Sequence, residues 1–256
     1  MYHPFIFLIF VENRYNVSYS MKKIVVLTGA GMSAESGITT FRDSNGLWEQ
    51  FRVEDVASIE GYERNPQLVL QFYNDRRRQL ADVEPCAGHR LLAEMERDYQ
   101  MVIVTQNVDN LHERAGSTNV IHLHGELTKA TSSRNPNDAR CIVDIPVDHE
   151  IRWGDQAKDG SQLRPFIVWF GEPVPMIEKA IEEVQTADIF VIIGTSLNVY
   201  PAAGLIHYVS PSVPVYLIDP KPVETHGARG IQFIQKGASE GVAELKGLLK
   251  NLKSTL

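Results

Sequence analysis

From Lys22 onward, short β-branched apolar runs alternate with amphipathic stretches. Runs at Lys23–Thr28, Met101–Thr105, Val120–Leu123, Phe166–Phe170, Ile189–Ile193 and Val213–Ile218 predict strands. They are almost continuously apolar, the pattern of strands covered on both faces. Asn65-Pro66 places a capping side chain before a proline at the first helical position, predicting a helix to about Leu80. Pro85, Pro175 and Pro201 open predicted helices that run to about Asp98, Thr186 and Val209. Ser239 is the expected cap of a last helix, with Val242, Leu245, Leu249 and Leu252 on one face. Strand–helix alternation of this kind predicts βαβ units and a doubly wound α/β fold around a parallel sheet.

Lys129 to Leu163 breaks the rhythm. Ser132-Ser133-Arg134-Asn135-Pro136-Asn137-Asp138 and Asp155 to Gln162 both read as loop. So long a stretch without periodicity indicates an inserted subdomain or functional loop. The expected organisation is one domain over residues 21–256, with a small lobe inserted at about 126–165. Residues 1–20 stand apart. Their apolar run, Phe5 to Val11, is far shorter than the roughly 20 residues that span a bilayer. It also lacks the preceding basic residues and cleavage site of a signal peptide. With Met21-Lys22-Lys23 leading into the first strand, residues 1–20 read as an upstream extension, the alternative being a leader that packs on the body or anchors it.

Composition narrows the class. The 256 residues are 43% hydrophobic and 22% charged, ordinary values for a soluble globular protein. A net charge of −7 weighs against nucleic acid and anionic membranes as partners. Cys86 and Cys141 are the only cysteines, which excludes a disulfide framework and a four-thiolate zinc site.

Chemistry gathers at the ends of the predicted strands. Gly29-Ala30-Gly31-Met32-Ser33-Ala34 fits the G-x-G-x-x-G/A dinucleotide fingerprint, directly after the first strand and opening a helix, as in Rossmann-like folds. Its glycines allow a tight turn and close approach of the backbone to a pyrophosphate. No acidic residue stands about twenty positions later at the end of a second strand, so an ordinary hydride-transferring dehydrogenase is not expected. A loop rich in ligand-contacting types follows instead, with Thr40-Phe41-Arg42-Asp43 and Gly46-Leu47-Trp48. Gly194-Thr195-Ser196 follows a later strand and can share the same dinucleotide. Asp219 ends the next strand, either reaching a ribose hydroxyl or serving as a polar strand terminus. Asn107 and Asp109 either line a ligand site or cap the helix that follows. His122 and His124 fall on one face of an extended segment, so alternation does not choose between them.

Taken in order, Gly29-Ala30-Gly31-Met32-Ser33, Thr105-Gln106-Asn107-Val108-Asp109, His122-Leu123-His124-Gly125, Phe170-Gly171-Glu172 and Gly194-Thr195-Ser196 resemble the sirtuins, NAD-dependent protein-lysine deacylases. The resemblance runs from about Lys22 to Leu252 and is strongest to bacterial members that accept acidic acyl chains. It implies NAD as co-substrate, acyl-lysine proteins or peptides as partners, and nicotinamide, free lysine and O-acyl-ADP-ribose as products. It implies that Asn107 and Asp109 line the nicotinamide pocket and that His124 is the general base acting on a ribose hydroxyl. An imidazole suits that role, its unperturbed pKa of about 6.5 lying near working pH. Gly29, Ala30, Gly31, Ser33, Phe41, Arg42, Gln106, Gly194, Thr195, Ser196, Asp219 and Ala238 are the implied NAD contacts. Asp219 replaces the usual Asn. Val168, Phe170 and Gly171 on one side, and Leu197, Asn198 and Val199 on the other, match the segments between which a substrate peptide adds as a strand.

Tyr73 and Arg76, at i and i+3 of the first long helix, project from one face. A phenol with a guanidinium suits a carboxylate, and a matching pair reads succinyl or malonyl groups in the sirtuins that remove them. The other reading of Arg76-Arg77-Arg78 is a solvated helix face, expected for at least one of Arg77 and Arg78. Most sirtuins hold a structural zinc with two CxxC pairs between the His-Gly and Phe-Gly-Glu motifs, whereas here Cys141 is alone in that interval. No zinc is expected, leaving Ile142, Val143, Ile145, Ile151 and Trp153 as candidates to hold the small lobe by apolar contact. A cytoplasmic protein is expected. Two competing functions remain at this level: an NAD glycohydrolase or ADP-ribosyltransferase, and a non-catalytic NAD-sensing module.

Overall fold

The computed structural model describes residues 21–38, 51–225, 227, 228 and 230–254, and side chains to Asn251. The expectations for residues 1–20, for the loop with Phe41 and Arg42, and for the Leu252 side chain fall outside the described residues. Six strands form one sheet: β1 (Lys23–Thr28), β2 (Gln100–Thr105), β3 (Val120–His122), β7 (Ile189–Ile193), β8 (Val215–Ile218) and β9 (Ile231–Ile234). The order is β3-β2-β1-β7-β8-β9, and every neighbouring pair is parallel. β2 and β3 lie on one side of β1 and β7 to β9 on the other, so the winding reverses beside β1, where open α/β sheets bind ligands.

Alternation along β1 sends its side chains to two separate cores. Ile24 and Val26 pack with Ile103, Val191 and the apolar stripe Val242, Leu245 and Leu249 of α8 (Ala238–Ser254). Val25 and Leu27 face the other way, onto Val104, Phe190 and Val184 of α7 (Ile177–Gln185). Each such side chain withdrawn fully from water contributes about 1.5–3 kcal/mol, and this two-sided burial is why the strands read as unbroken apolar runs.

A second sheet of three antiparallel strands makes the small lobe: β4 (Gly125–Ser132) between β5 (Val143–Asp144) and β6 (Leu163–Ile167). The run expected as the strand Phe166–Phe170 is thus shifted and belongs to this sheet rather than the parallel one. A five-residue apolar run does not state its partner. Past Ile167 the chain turns to another neighbour, Phe170 donating its N–H to Ala57 O at 2.8 Å and accepting from Ile59 N at 3.1 Å.

The helix expected from Asn65-Pro66 is α4 (Pro66–Gln79), and Asn65 Oδ1 accepts the Leu68 N–H at 3.2 Å. Shorter helices surround the site: α1 (Ala30–Ala34), α2 (Val53–Val56), α3 (Ile59–Arg64), α5 (Ala87–Met95) and α6 (Leu111–Ala115). The segment after Pro201 winds as a 3-10 helix, Ala202–Tyr208. Over two turns the apolar positions suit either winding, so the pattern does not separate them. Ser239 lies inside α8 rather than capping it, and its Oγ accepts the Gly88 N–H in the first turn of α5. α1 and α6 are the helices expected after the glycine loop and after Asp109, while β4, β5, β9, α2 and α3 add to the expected elements; all five but β4 are two to six residues long.

The small lobe is fastened to α4 by buried polar groups. Asn74 exchanges two bonds with the Ile151 backbone, both 3.0 Å. Arg77 is fully buried and donates to His149 O, Leu127 O and Asn74 Oδ1. Of the five apolar candidates, Ile151 is fully buried and Val143 and Ile145 pack against the lobe's core. Trp153, in contrast, is 57% exposed. It sits at the tip of a tight turn, where Asp155 caps the Arg152 N–H and Gly154 takes a left-handed φ of 101°, so its ring points outward.

Candidate active site

Thr28 of β1 lies level with Thr105 of β2 and Ile193 of β7, so three loops leave the sheet at one edge. Two are packed backbone to backbone. Gly31 donates its N–H to Gly194 O at 2.9 Å, and a Cβ on Gly31 would meet Gly194 Cα at 2.7 Å. Gly194 has φ +61°, and a Cβ there would fall 2.4 Å from Met32 N. Only glycine fits at this contact. The amides of Gly29, Gly31 and Met32 are bonded to Ile193 O, Gly194 O and Gly29 O. The glycines therefore bring two loops together over the β1–β7 reversal, a narrower role than offering all their amides to a phosphate.

The third loop is tied to the first. Asn107 Nδ2 donates to Gly29 O at 3.1 Å and to Ser33 Oγ at 3.0 Å, and Ser33 Oγ donates to Asp109 Oδ2 at 2.9 Å. Gln106 Nε2 reaches Thr195 Oγ1 at 3.0 Å, linking it to the Gly194 loop. Asp109 also receives the Leu111 N–H, so the capping reading of this residue holds alongside its contact with Ser33. Burial pushes the Asp109 carboxyl up, and the Leu111 N–H and Ser33 hydroxyl partly offset this. Asn107, Asp109 and Ser33 are all buried. Asp219 is half-buried and accepts the Lys221 N–H at 2.8 Å, and Ala238 opens α8.

The two histidines, equivalent by alternation, differ in their second nitrogen. His124 Nδ1 lies 3.0 Å from Gln106 O, which makes it the N–H donor and leaves Nε2 without a protein partner among the described residues. His122 Nδ1 lies 3.1 Å from Asn107 O, and its Nε2 is held by Glu113 Oε1 at 2.7 Å. Burial lowers the pKa of His124, only partly countered by the Gln106 carbonyl, so its ring is neutral near pH 7. A neutral imidazole with one nitrogen anchored and the other open has the form of a general base.

On the substrate side, Phe170 is 48% exposed and Gly171 follows at φ +93°. Val168 donates its N–H to His124 O, joining this segment to the histidine. Val199, partly buried, leads into the 3-10 helix, its carbonyl accepting the Ala203 N–H at 2.8 Å. Beneath lies Trp169, 1% exposed, its ring centroid 4.6 Å from Tyr62 and 6.2 Å from Tyr73. Arg164 stacks 3.5 Å above the Trp169 ring and forks onto both oxygens of Glu172, at 2.7 and 2.9 Å. Tyr73 is buried and Arg76 half-buried, with Arg76 Nε inaccessible and unbonded.

Residues 29–201 match the Sir2 family, and a curated relative from Bacteroides thetaiotaomicron, an NAD-dependent protein deacylase, is 64% identical over 90% of this chain and 98% of its own. The chain belongs to the Sir2 family. A Helicobacter pylori NAD-dependent protein deacylase is 50% identical over 88% of this chain and 96% of its own. A solved complex of a Sir2 homologue with NAD is 35% identical, with a TM-score of 0.78 and 91% of each chain covered.

Several members of this Sir2 site were not singled out from sequence. Trp169, Arg164 and Glu172 support the substrate side, yet only Glu172 stood in a quoted motif. A basic and an acidic residue eight positions apart carry no local signal of pairing. The zinc of the family has no fitting residues here. Among the described residues no group of three or more His, Cys, Asp or Glu side chains is arranged to hold a metal ion, and Cys86 and Cys141 are separate free thiols. In the lobe's loops, Asp159 gathers the hydroxyls of Ser132 and Ser161, each at 2.7 Å, and the Asn135 amide at 3.3 Å.

Proposed function

We propose that this sirtuin removes acidic acyl groups, succinyl and malonyl, from lysine as well as acetyl. Its class is not in question: it is an NAD-dependent protein-lysine deacylase, an enzyme of the Sir2 family. The observation that carries the acyl reading is the Tyr73–Arg76 pair. A buried phenol and a guanidinium whose Nε has no protein partner among the described residues stand one turn apart on α4. Burial lowers the Arg76 pKa, partly countered by Asp75, but the group remains a cation near neutrality. A half-buried cation with an unused donor favours a ligand carboxylate.

NAD supplies a ribose carbon made electrophilic as nicotinamide departs. In this reading Asn107 and Asp109 hold the nicotinamide end. Gly29, Gly31, Gly194 and Thr195 surround the pyrophosphate, and Asp219 and Ala238 the adenosine end. His124 Nε2 takes a proton from a ribose hydroxyl, its tautomer set by the bond from Nδ1 to Gln106. The peptide lies between the Val168–Gly171 segment and Val199, read mainly through its backbone.

The test incubates enzyme and NAD with matched acetyl- and succinyl-lysine peptides and quantifies O-acyl-ADP-ribose. Arg76→Met is expected to lower kcat/KM for the succinyl peptide by about 10- to 100-fold, as losing a charge-assisted contact does, and to change the acetyl value little. Equal losses on both peptides would overturn the acyl assignment.

A further inference from the structure

We infer that His122 is a positioning residue, a proton-dependent latch that holds the Asn107 carbonyl and so sets the nicotinamide side of the active site. This rests on the reading that Asn107 and Asp109 face nicotinamide. The geometry is an imidazole between two acceptors: Asn107 O lies 3.1 Å from Nδ1 and Glu113 Oε1 2.7 Å from Nε2. Neither a carbonyl nor a carboxylate donates, so both bonds form only when both ring nitrogens carry hydrogen. A neutral ring has one N–H to give. Facing a carboxylate, it keeps that hydrogen on Nε2 and turns a lone pair toward Asn107 O, and the latch opens.

The other tethers of Asn107 do not depend on charge. Its N–H donates to Thr105 Oγ1 at 3.0 Å, and its amide nitrogen reaches Gly29 O and Ser33 Oγ. The carbonyl is where protonation enters the pocket. Around His122 stand Glu113 and His112 from α6, Asp109 from the loop before it, and Glu126 from β4, itself paired with Lys129 at 2.7 Å. Burial disfavours the imidazolium, but the Glu113 bond and charge, with Glu126 and the Asn107 carbonyl, outweigh it and raise the His122 pKa. Two rings two residues apart thus titrate on opposite sides of the ordinary value. His124 is biased toward the neutral base, and His122 toward the charged ring that holds the loop.

The experiment measures product inhibition by nicotinamide, with an acetyl-lysine peptide, from about pH 6 to about pH 9, bracketing the imidazole range. The wild-type inhibition constant is expected to rise by about 3- to 10-fold through the His122 titration, the size of one weakened hydrogen bond. Glu113→Gln removes the charge but keeps an amide that meets Nε2 in either state. The neutral ring can then keep its hydrogen toward Asn107, and the step flattens. His122→Gln, which offers a non-titrating donor, is expected to flatten it too, with circular dichroism checking the fold. If His122→Gln misfolds, Glu113→Gln alone decides. A step that persists unchanged under Glu113→Gln overturns the latch. Asn107→Ala separates the two ideas. If inhibition is unaffected by that change, the nicotinamide-pocket reading has failed. If it is lost while Glu113→Gln leaves the step intact, only the latch has.

Discussion

In the parallel sheet Ile24, Val25, Val26 and Leu27 are fully buried, and successive residues face opposite apolar cores. In the small lobe an apolar cluster that includes Leu127, Ile151 and Ile167 is joined by polar crossings: Asn74 to Ile151, Arg77 to His149 and Leu127, Asp159 to Ser132 and Ser161. The sheet is stabilised by area removed from water, tolerant of small changes in shape. The lobe depends in addition on buried donors and acceptors meeting, where one lost partner strands several others. The active site lies where these two regimes join, His124 standing in the bend between the end of β3 at His122 and the start of β4 at Gly125. There Gly125 is backed so closely that a Cβ would fall 2.1 Å from Phe166 O, at φ +82°.

The sharpest way to break this contrast is Arg77→Met. It leaves the His149 and Leu127 carbonyls without this buried donor and the Asn74 oxygen with the Ile151 N–H alone, an expected cost of about 3–5 kcal/mol in urea unfolding. Burial, with a smaller push from Arg78, lowers the Arg77 pKa only to about 10, so the native cation persists across the usual range. A loss below about 1 kcal/mol would mean that apolar contact holds the lobe after all.

Acid is expected to act on the large domain instead. His89 and His112 pack edge to face at 4.7 Å behind Thr28, and burial pushes His89 down to about 4 and His112 well below the ordinary imidazole value. Their folded pKa values lie below the unfolded value of about 6.5, so the unfolded chain binds more protons in acid. Stability then falls as pH drops from about 6.5 toward 4, His89 contributing on the order of 3 kcal/mol. His122, with its raised pKa, has the opposite sign, losing its contribution as pH rises through the folded value. Asp159 is held below the usual carboxylate range by the Ser132 and Ser161 hydroxyls, so the lobe's network persists in acid. Urea midpoints at about pH 7 and pH 5 for wild type and His89→Gln check this, the variant showing the smaller drop.

A smaller effect comes from Ser132→Ala. The Ser132 hydroxyl donates to Asp159 and accepts the Arg134 and Asn135 amides, and its loss is expected to cost about 1–2 kcal/mol. Added chelator is expected to leave the wild-type urea midpoint unchanged. Smallest of all, Arg78→Ala should fall within about 0.5 kcal/mol, because this neighbour of Arg77 is half-exposed and pairs with Asp75 and Glu150 at the surface.

The consecutive arginines show how much of the site was legible. Helical spacing placed Tyr73 and Arg76 on one face, and a charge run implied that one arginine is solvated, which Arg78 is. Nothing local distinguished Arg77, whose carbonyl partners lie 50 and 72 residues away. The histidines repeat the lesson. Alternation put His122 and His124 on one face but could not tell which had a free nitrogen, because Glu113 comes from another element. The strand at residues 163–167 was found with its register shifted and its partner sheet unspecified.

What the sequence determined by itself was periodic and local: the two-faced burial of the sheet strands, the capped start of α4, the glycine loops and the order of the family's motifs. Each depends on residues a few positions apart, whose spacing alone states which face they share. The tertiary structure decided which of two equivalent histidines is left open, which arginine anchors the lobe, and which polar groups tie its loops together. These are choices among hydrogen-bond partners from distant segments, and such bonds carry no period along the chain.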